Sequence, residues 1–209
     1  MPIIKRPTAT TLKKITLFVL CLTPFLLMVY QLLAQQLGAE PVDKMLQITG
    51  DWGLRFLLIT LAITPIRQRL KKNWVTYRRM LGLFAFFYAS SHLLIYVAFE
   101  QSFNLMGVLH EAIEKKYLFV GMSALLLMTP LAVTSTKRMM KKLGKNWTRL
   151  HKLIYPITAL VILHFTWQVK SDYTEPVIYS LLFIGLLLLR KRAKKSTPQS
   201  KLRKNQINH

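Results

Sequence analysis

The chain has 209 residues, 52% of them apolar, and a formal net charge of +22 at pH 7. It is long enough for one compact unit and too apolar for a typical soluble domain. The basic residues fall into blocks separated by apolar runs of about twenty residues, the length that crosses ~30 Å of hydrocarbon. No nucleic-acid-binding motif is present. We therefore expect a multi-pass membrane protein that contacts membrane lipid and not nucleic acid.

Six transmembrane helices are predicted, forming an all-α bundle. Their approximate ranges, in chain order, are 14–36, 46–66, 77–99, 117–135, 147–169 and 175–190. The links between them are short, so no soluble domain is inserted. The chain then divides into an N-terminal segment (1–13), a membrane domain (14–190) and a basic tail (191–209) that we expect to be disordered.

The charges predict the orientation of these helices. With the N-terminus in the cytoplasm, the cytoplasmic segments hold 25 of the 30 lysines and arginines, and all eight acidic residues fall on the other side. Lys and Arg accumulate on the cytoplasmic side of membrane proteins. Both termini are therefore predicted to be cytoplasmic.

Two histidines inside predicted helices lie at matching depth. His92 is about fifteen residues past the start of the third helix, and His164 about seventeen past that of the fifth. A rise of 1.5 Å per residue places both roughly 22 to 26 Å from the cytoplasmic end. Two imidazoles at one depth on different helices can bind one haem iron from opposite faces. The alternative is that each histidine only hydrogen-bonds to a neighbouring helix.

His151 lies at a different level, about 20 Å from His164 along the helix axis and near the cytoplasmic face. Its counterpart on the third helix is Arg78, fourteen residues before His92. An arginine there suits a haem propionate or a flavin phosphate better than iron. Pro156 can kink or unwind the helix between the two histidines. We expect His151 and Arg78 to form an electron-entry site, with interfacial anchoring as the alternative.

Arg55 follows Asp51 by four residues in the second helix, a spacing that brings two side chains together. An ion pair with Asp51 is the simpler interpretation, because it lowers the cost of an arginine inside the membrane. The alternative is that Arg55 faces the propionates of a haem bound at His92 and His164.

Three segments, "TGDWGLRFLLITLAITPIR" (49–67), "NWVTYRRMLGLFAFFYASSHLLIY" (73–96) and "NWTRLHKLIYPITALVILH" (146–164), resemble the YedZ/MsrQ family. Members of that family are haem-binding subunits in the inner membrane of bacteria. They serve a periplasmic methionine sulfoxide reductase, and ferric reductases and NADPH oxidases are wider relatives. The resemblance covers nearly the whole chain, in order.

The resemblance implies b-type haem, FMN and electron delivery to a periplasmic molybdopterin subunit that repairs oxidised methionine. His92, His151 and His164 match the haem-ligand positions of the family. Wider relatives carry four histidines in two pairs, and Arg78 stands here in place of one, so one haem is implied and a second stays open. The tail is too short for the relatives' flavin and nicotinamide domain. Electrons are therefore expected from the quinone pool or a cytoplasmic flavin reductase.

Two other functions remain open from the sequence. One is a stand-alone membrane enzyme that oxidises quinol or reduces ferric iron or another metal. The other is a non-redox scaffold whose histidines only hydrogen-bond. The electron-transfer subunit is the leading hypothesis, and it has no catalytic residue of its own.

The predicted topology can be tested with reporter fusions. We expect fusions after residues 105 and 172 to report a periplasmic location, and fusions after 70, 142 and 200 a cytoplasmic one, because the basic blocks hold their side of the chain in the cytoplasm. Paired phosphatase and fluorescent-protein reporters make the measurement. An inverted result at any of the five positions would contradict the six-helix topology.

Overall fold

The computed structural model describes residues 9–70 and 74–195, and within these ranges the chain is helical with no β-strand. The described ranges contain nine α-helices, in chain order α1 (Ala9–Leu33), α2 (Pro41–Leu70), α3 (Val75–Ile95), α4 (Leu105–Glu114), α5 (Lys116–Val133), α6 (Lys137–Leu143), α7 (Lys145–Leu150), α8 (Ile154–Gln168) and α9 (Thr174–Lys195). Most of the expected N-terminal segment (1–13) and most of the expected tail (191–209) lie outside the described residues.

Five helical segments of the described chain are long and apolar enough to cross a membrane: Thr11–Leu33, Pro41–Arg67, Thr76–Glu100, Lys116–Val133 and Lys145–Gln168. They correspond to the first five predicted helices. The sixth corresponds to α9, which packs against α2 and α8. A crossing of the membrane by α9 stays a prediction.

The predicted fifth helix, 147–169, is not continuous. Its first part is α7, a 3-10 turn follows over His151–Leu153, and α8 begins at Ile154. The turn lies just before Pro156, whose ring cannot fit against the carbonyl four residues earlier in a regular helix. The local unwinding expected from Pro156 is therefore observed. The sequence did not predict α4 and α6, two short helices in the links.

The bundle is built around α2. This helix contacts α1, α3, α8 and α9. More than half of its membrane segment is buried inside the bundle, whereas only a small part of α1 is buried. The main core joins Phe56 and Leu57 of α2 to Ala85 and Tyr88 of α3 and Ile157 of α8. The large apolar side chains exposed on α1 and α9 fit helices on the outside of a membrane bundle, where lipid would cover them.

Tyr88 attaches α1 to this core at a proline. Its side chain is fully buried, its hydroxyl donates to the carbonyl of Cys21, and it accepts a hydrogen bond from the backbone N–H of Phe25, both at 3.0 Å. In a regular helix that N–H would reach the Cys21 carbonyl directly. Pro24 interrupts this ladder, and the hydroxyl bridges the gap.

The two ends of the bundle differ in charge. We call the end where α2, α5 and α9 begin the acidic end, because it holds all eight Asp and Glu residues. The basic end is the opposite one, where α2 ends, α3 and α8 begin, and α6 and α7 lie. Short links between consecutive long helices make neighbours antiparallel, so the alternation of charge along the sequence becomes a separation in space.

Candidate haem site and its surroundings

A cavity of about 1090 Å³ lies between the helix pairs α2–α3 and α5–α8. It extends from the middle of the bundle to the acidic end, where the α1–α2 and α8–α9 links border it. Its volume is at the upper limit of the roughly 300–1,000 Å³ of small-molecule sites. His92 of α3 and His164 of α8 both line this cavity.

The rings of His92 and His164 face each other across the bundle. Their centroids are 6.2 Å apart and their planes are at 88°. Imidazole–metal bonds of ~2.0 Å, with roughly 1.2 Å from each nitrogen to its ring centre, would separate two opposed rings by about 6 Å. The matched depth expected for the two histidines is therefore observed, at a spacing that one metal ion between them would require.

Each of these histidines uses Nδ1 to bind a main-chain carbonyl. Nδ1 of His92 lies 3.0 Å from the Leu46 oxygen, and Nδ1 of His164 lies 2.7 Å from the Tyr117 oxygen. A carbonyl can only accept, so Nδ1 must carry the proton in both rings. In the neutral imidazole, Nε2 is then the unprotonated nitrogen with a free lone pair. Both histidines thus have the tautomer of a metal ligand, and the carbonyl increases its basicity.

Two glycines make room for the imidazoles. A Cβ on Gly121 would lie 2.7 Å from Nδ1 of His164, and a Cβ on Gly50 would lie 3.4 Å from Nδ1 of His92. Each glycine follows the accepting residue by four positions, which is one helical turn. The His164 ring can therefore approach its carbonyl only because the next turn lacks a side chain, whereas a Cβ on Gly50 would make a close but ordinary contact with His92. Neither glycine was predicted as part of the site, although an unexplained glycine inside an apolar helix is a usable signal.

His151 is in the 3-10 turn at the basic end, away from the other two histidines. Its ring stacks on Trp147 at 3.9 Å between centroids, and its Nδ1 lies 3.1 Å from the Trp147 carbonyl. Because that carbonyl can only accept, Nδ1 carries the proton and Nε2 has the free lone pair. That nitrogen is buried and has no hydrogen-bond partner among the described residues. No second histidine of the described chain faces it.

Arg55 forms the ion pair that its spacing predicted. Its guanidinium lies 3.3 Å from the Asp51 carboxylate, donates to the Tyr179 hydroxyl at 2.9 Å, and stacks on Trp52. Asp51 lines the cavity, whereas Arg55 does not. The contact with Tyr179 joins α2 to α9.

A polar network closes one side of the cavity mouth. Beyond His92, α3 widens into a π-helical segment, Tyr96–Glu100, and such segments are frequent at functional sites. The Tyr96 hydroxyl donates to the Glu111 carboxylate at 2.7 Å, and Lys115 donates to it at 2.8 Å. The hydrogen bonds from Lys115 and Tyr96 lower the pKa of Glu111 from 4.5 to about 2. The carboxylate is thus charged at any physiological pH and attaches α4 to the end of α3.

The donor set argues against a structural zinc site. Within the described ranges, no three His, Cys, Asp or Glu side chains gather as candidate metal ligands. Structural zinc takes four such ligands and catalytic zinc three. Two opposed imidazoles beside a large, mostly apolar cavity instead fit a metal whose other ligands belong to a cofactor.

Known proteins with similar sequences are transmembrane or heme-binding, according to their names. The family model described as "Ferric reductase like transmembrane component" matches residues 16–162. A protein of Herminiimonas arsenicoxydans named "Protein-methionine-sulfoxide reductase heme-binding subunit MsrQ" is 44% identical over 188 residues, or 88% of this chain and 86% of its own length. The chain belongs to the MsrQ family of ferric reductase-like transmembrane proteins.

Other MsrQ relatives match to a similar extent. A protein with the same name from Xanthomonas oryzae pv. oryzae (strain MAFF 311018) is 46% identical, covering 85% of this chain and 82% of its own. One from Rhodospirillum rubrum is 44% identical, covering 85% and 86%. No solved structure matches the chain. The MsrQ resemblance inferred from the three sequence segments is therefore confirmed.

Proposed function

We propose that this protein is the membrane electron-transfer subunit of a methionine sulfoxide reductase system, with haem b held between His92 and His164. The observation that carries the proposal is the pair of imidazoles 6.2 Å apart at one cavity, each with Nδ1 bound to a carbonyl. The names of the MsrQ relatives, which describe heme-binding subunits, support it.

The residues around the site hold the two imidazoles in place. The carbonyls of Leu46 and Tyr117 fix the tautomer of each ring and restrict its rotation, so Nε2 of each ring keeps its lone pair for an iron. His92 comes from α3 and His164 from α8, and each is oriented by a different helix, α2 or α5. Bound haem would supply a one-electron carrier. The chain itself contributes no catalytic residue.

The proposed direction of transfer follows the charge separation. With six crossings of the bacterial inner membrane, the basic end and both termini face the cytoplasm, and the acidic end faces the periplasm. Electrons enter at the basic end from the quinone pool or a cytoplasmic flavin reductase. They leave at the acidic end, where the cavity opens, to a periplasmic molybdopterin subunit that reduces methionine sulfoxide.

The entry point is the surroundings of His151 and Arg78. The free, buried Nε2 of His151 suits a ligand of a second, weakly held haem, and it equally suits a contact with FMN. Arg78 cannot deprotonate at physiological pH, so it serves as an anion partner rather than an iron ligand. FMN is accordingly proposed as the second cofactor.

Replacing either His92 or His164 with alanine should abolish the low-spin absorption bands of the proposed haem, because one axial nitrogen is lost. The matched control is His110→Ala, since His110 is exposed in α4, where its Nδ1 lies 3.6 Å from the Glu114 carboxylate. Added imidazole should restore the bands in both alanine variants by filling the vacated position. Visible spectra of the purified proteins provide the measurement, and unchanged bands in both variants would refute the assignment.

Gly121→Ala should disturb the proposed site more than Gly50→Ala, because the added Cβ would lie 2.7 Å from the His164 ring and 3.4 Å from the His92 ring. The 2.7 Å contact belongs to Gly121→Ala, which we expect to lose or broaden the low-spin bands. The 3.4 Å contact belongs to Gly50→Ala, which we expect to retain them. Gly185→Ala is the control, since a Cβ there meets no atom within 4 Å. Haem content per protein and band position are measured together. Identical spectra for Gly121→Ala and Gly185→Ala would contradict the role of the glycine.

A further inference from the structure

Four buried polar atoms in the half of the bundle next to the basic end have no hydrogen-bond partner in the described part of the chain. They are the hydroxyl oxygens of Thr60 and Tyr155, Nε2 of His151 and Nη1 of Arg190. Buried polar groups are nearly always paired, because an unpaired one loses its bonds to water without replacement. They come from α2, the 3-10 turn, α8 and α9, so several elements leave polar atoms unsatisfied in one region.

Tyr155 and Arg190 are in contact, and His151 and Arg78 lie at the same end of the bundle. The guanidinium carbon of Arg190 is 5.0 Å from the centre of the Tyr155 ring. Tyr155 follows His151 by four residues, just after the 3-10 turn at the start of α8. Arg78 lies within electrostatic range of both Arg190 and His151, since its positive charge acts on each of them.

The positive charge of this cluster is not balanced by the protein. All eight Asp and Glu residues lie toward the acidic end, and so do the three ion pairs found among the described residues. Arg78 and Arg190 are both partly buried, and neither faces a carboxylate of the described chain. No carboxylate of the described chain offsets these two charges, so an anion from outside the protein would stabilise both guanidinium groups.

Lipid headgroups are the simplest source of such an anion, but the geometry disfavours them. An arginine that anchors a helix directs its guanidinium outward to the interface. Here Nη1 of Arg190 is inaccessible, and the guanidinium stacks on the inward-packed ring of Tyr155, which contacts the main core. The unpaired donors are therefore directed into the bundle.

We propose that Arg78, Tyr155 and Arg190 form an oxyanion-binding site beside His151, which holds the phosphate or carboxylate group of a cofactor. The two guanidinium groups supply paired N–H donors that fit such an anion, and the Tyr155 hydroxyl supplies a third contact. The phosphate of FMN and the carboxylate of a second haem are the two sources. This inference rests on the proposed function, and it adds α8 and α9 to the entry point.

Comparing FMN with riboflavin, which lacks the phosphate, isolates the contact. For a phosphate site, the purified full-length protein should bind FMN about tenfold or more tightly than riboflavin, because a charge-assisted hydrogen bond is lost with riboflavin. Arg190→Gln should remove this preference, Arg190→Lys should keep part of it, and Tyr155→Phe should weaken it by a few fold. Flavin fluorescence quenching gives the dissociation constants.

The controls separate the possible results. Arg79→Gln makes the same charge change at an exposed neighbour of Arg78 and should leave both ligands unaffected. If Arg190→Gln instead lowers the haem content by one while flavin binding is unchanged, the anion is a haem carboxylate. If FMN preference and haem content both match those of Arg79→Gln, the site is only a lipid anchor and the proposal is wrong.

The low-spin bands assigned to His92 and His164 serve as the internal reference. They should persist in Arg190→Gln, which shows that the bundle is folded. Their absence from the unmodified protein would count against the proposed function itself. Their presence together with unchanged ligand binding in Arg190→Gln and Tyr155→Phe would reject the oxyanion site alone.

Discussion

An imidazole inside hydrocarbon needs a partner for its N–H, and this constraint shapes the centre of the bundle. Hydrocarbon offers no acceptor, so the donor must find one within the protein. In an all-helical membrane protein, carbonyl oxygens already accept within their own helix, but each has a second lone pair. His92 and His164 use that lone pair on Leu46 and Tyr117. The same bonds leave both Nε2 atoms unprotonated, so satisfying the membrane constraint also prepares the ligands.

This pairing explains which helices must pack together. His92 on α3 is oriented by α2, and His164 on α8 is oriented by α5, and these are the two most extensive helix contacts in the bundle. Gly50 and Gly121 are the points of close approach in the two contacts. The cavity then lies between two preassembled helix pairs. Its walls and the two imidazoles are fixed by the same contacts, which would limit reorganisation when a cofactor binds.

The sequence predicted the long helices and the matched depth of His92 and His164, because both follow from length, hydropathy and a constant rise per residue. It could not predict the accepting carbonyls, since main-chain acceptors leave no trace in residue identity. Gly50 and Gly121 looked like ordinary helix glycines for the same reason. Nor did spacing along an ideal helix predict the environment of His151, because the 3-10 turn changes its direction. The π-helical segment after His92 likewise depends on packing against other helices, so the residue pattern did not predict it.

Electron paramagnetic resonance of the oxidised, haem-loaded protein tests most directly whether His92 and His164 are opposite ligands of one iron. Their ring planes are at 88°. Perpendicular axial imidazoles leave two of the iron d orbitals nearly equal in energy, which spreads a low-spin signal over a wide field range. We predict a low-spin ferric signal of very large anisotropy. A high-spin signal, or the narrower rhombic signal of parallel imidazoles, would contradict this account.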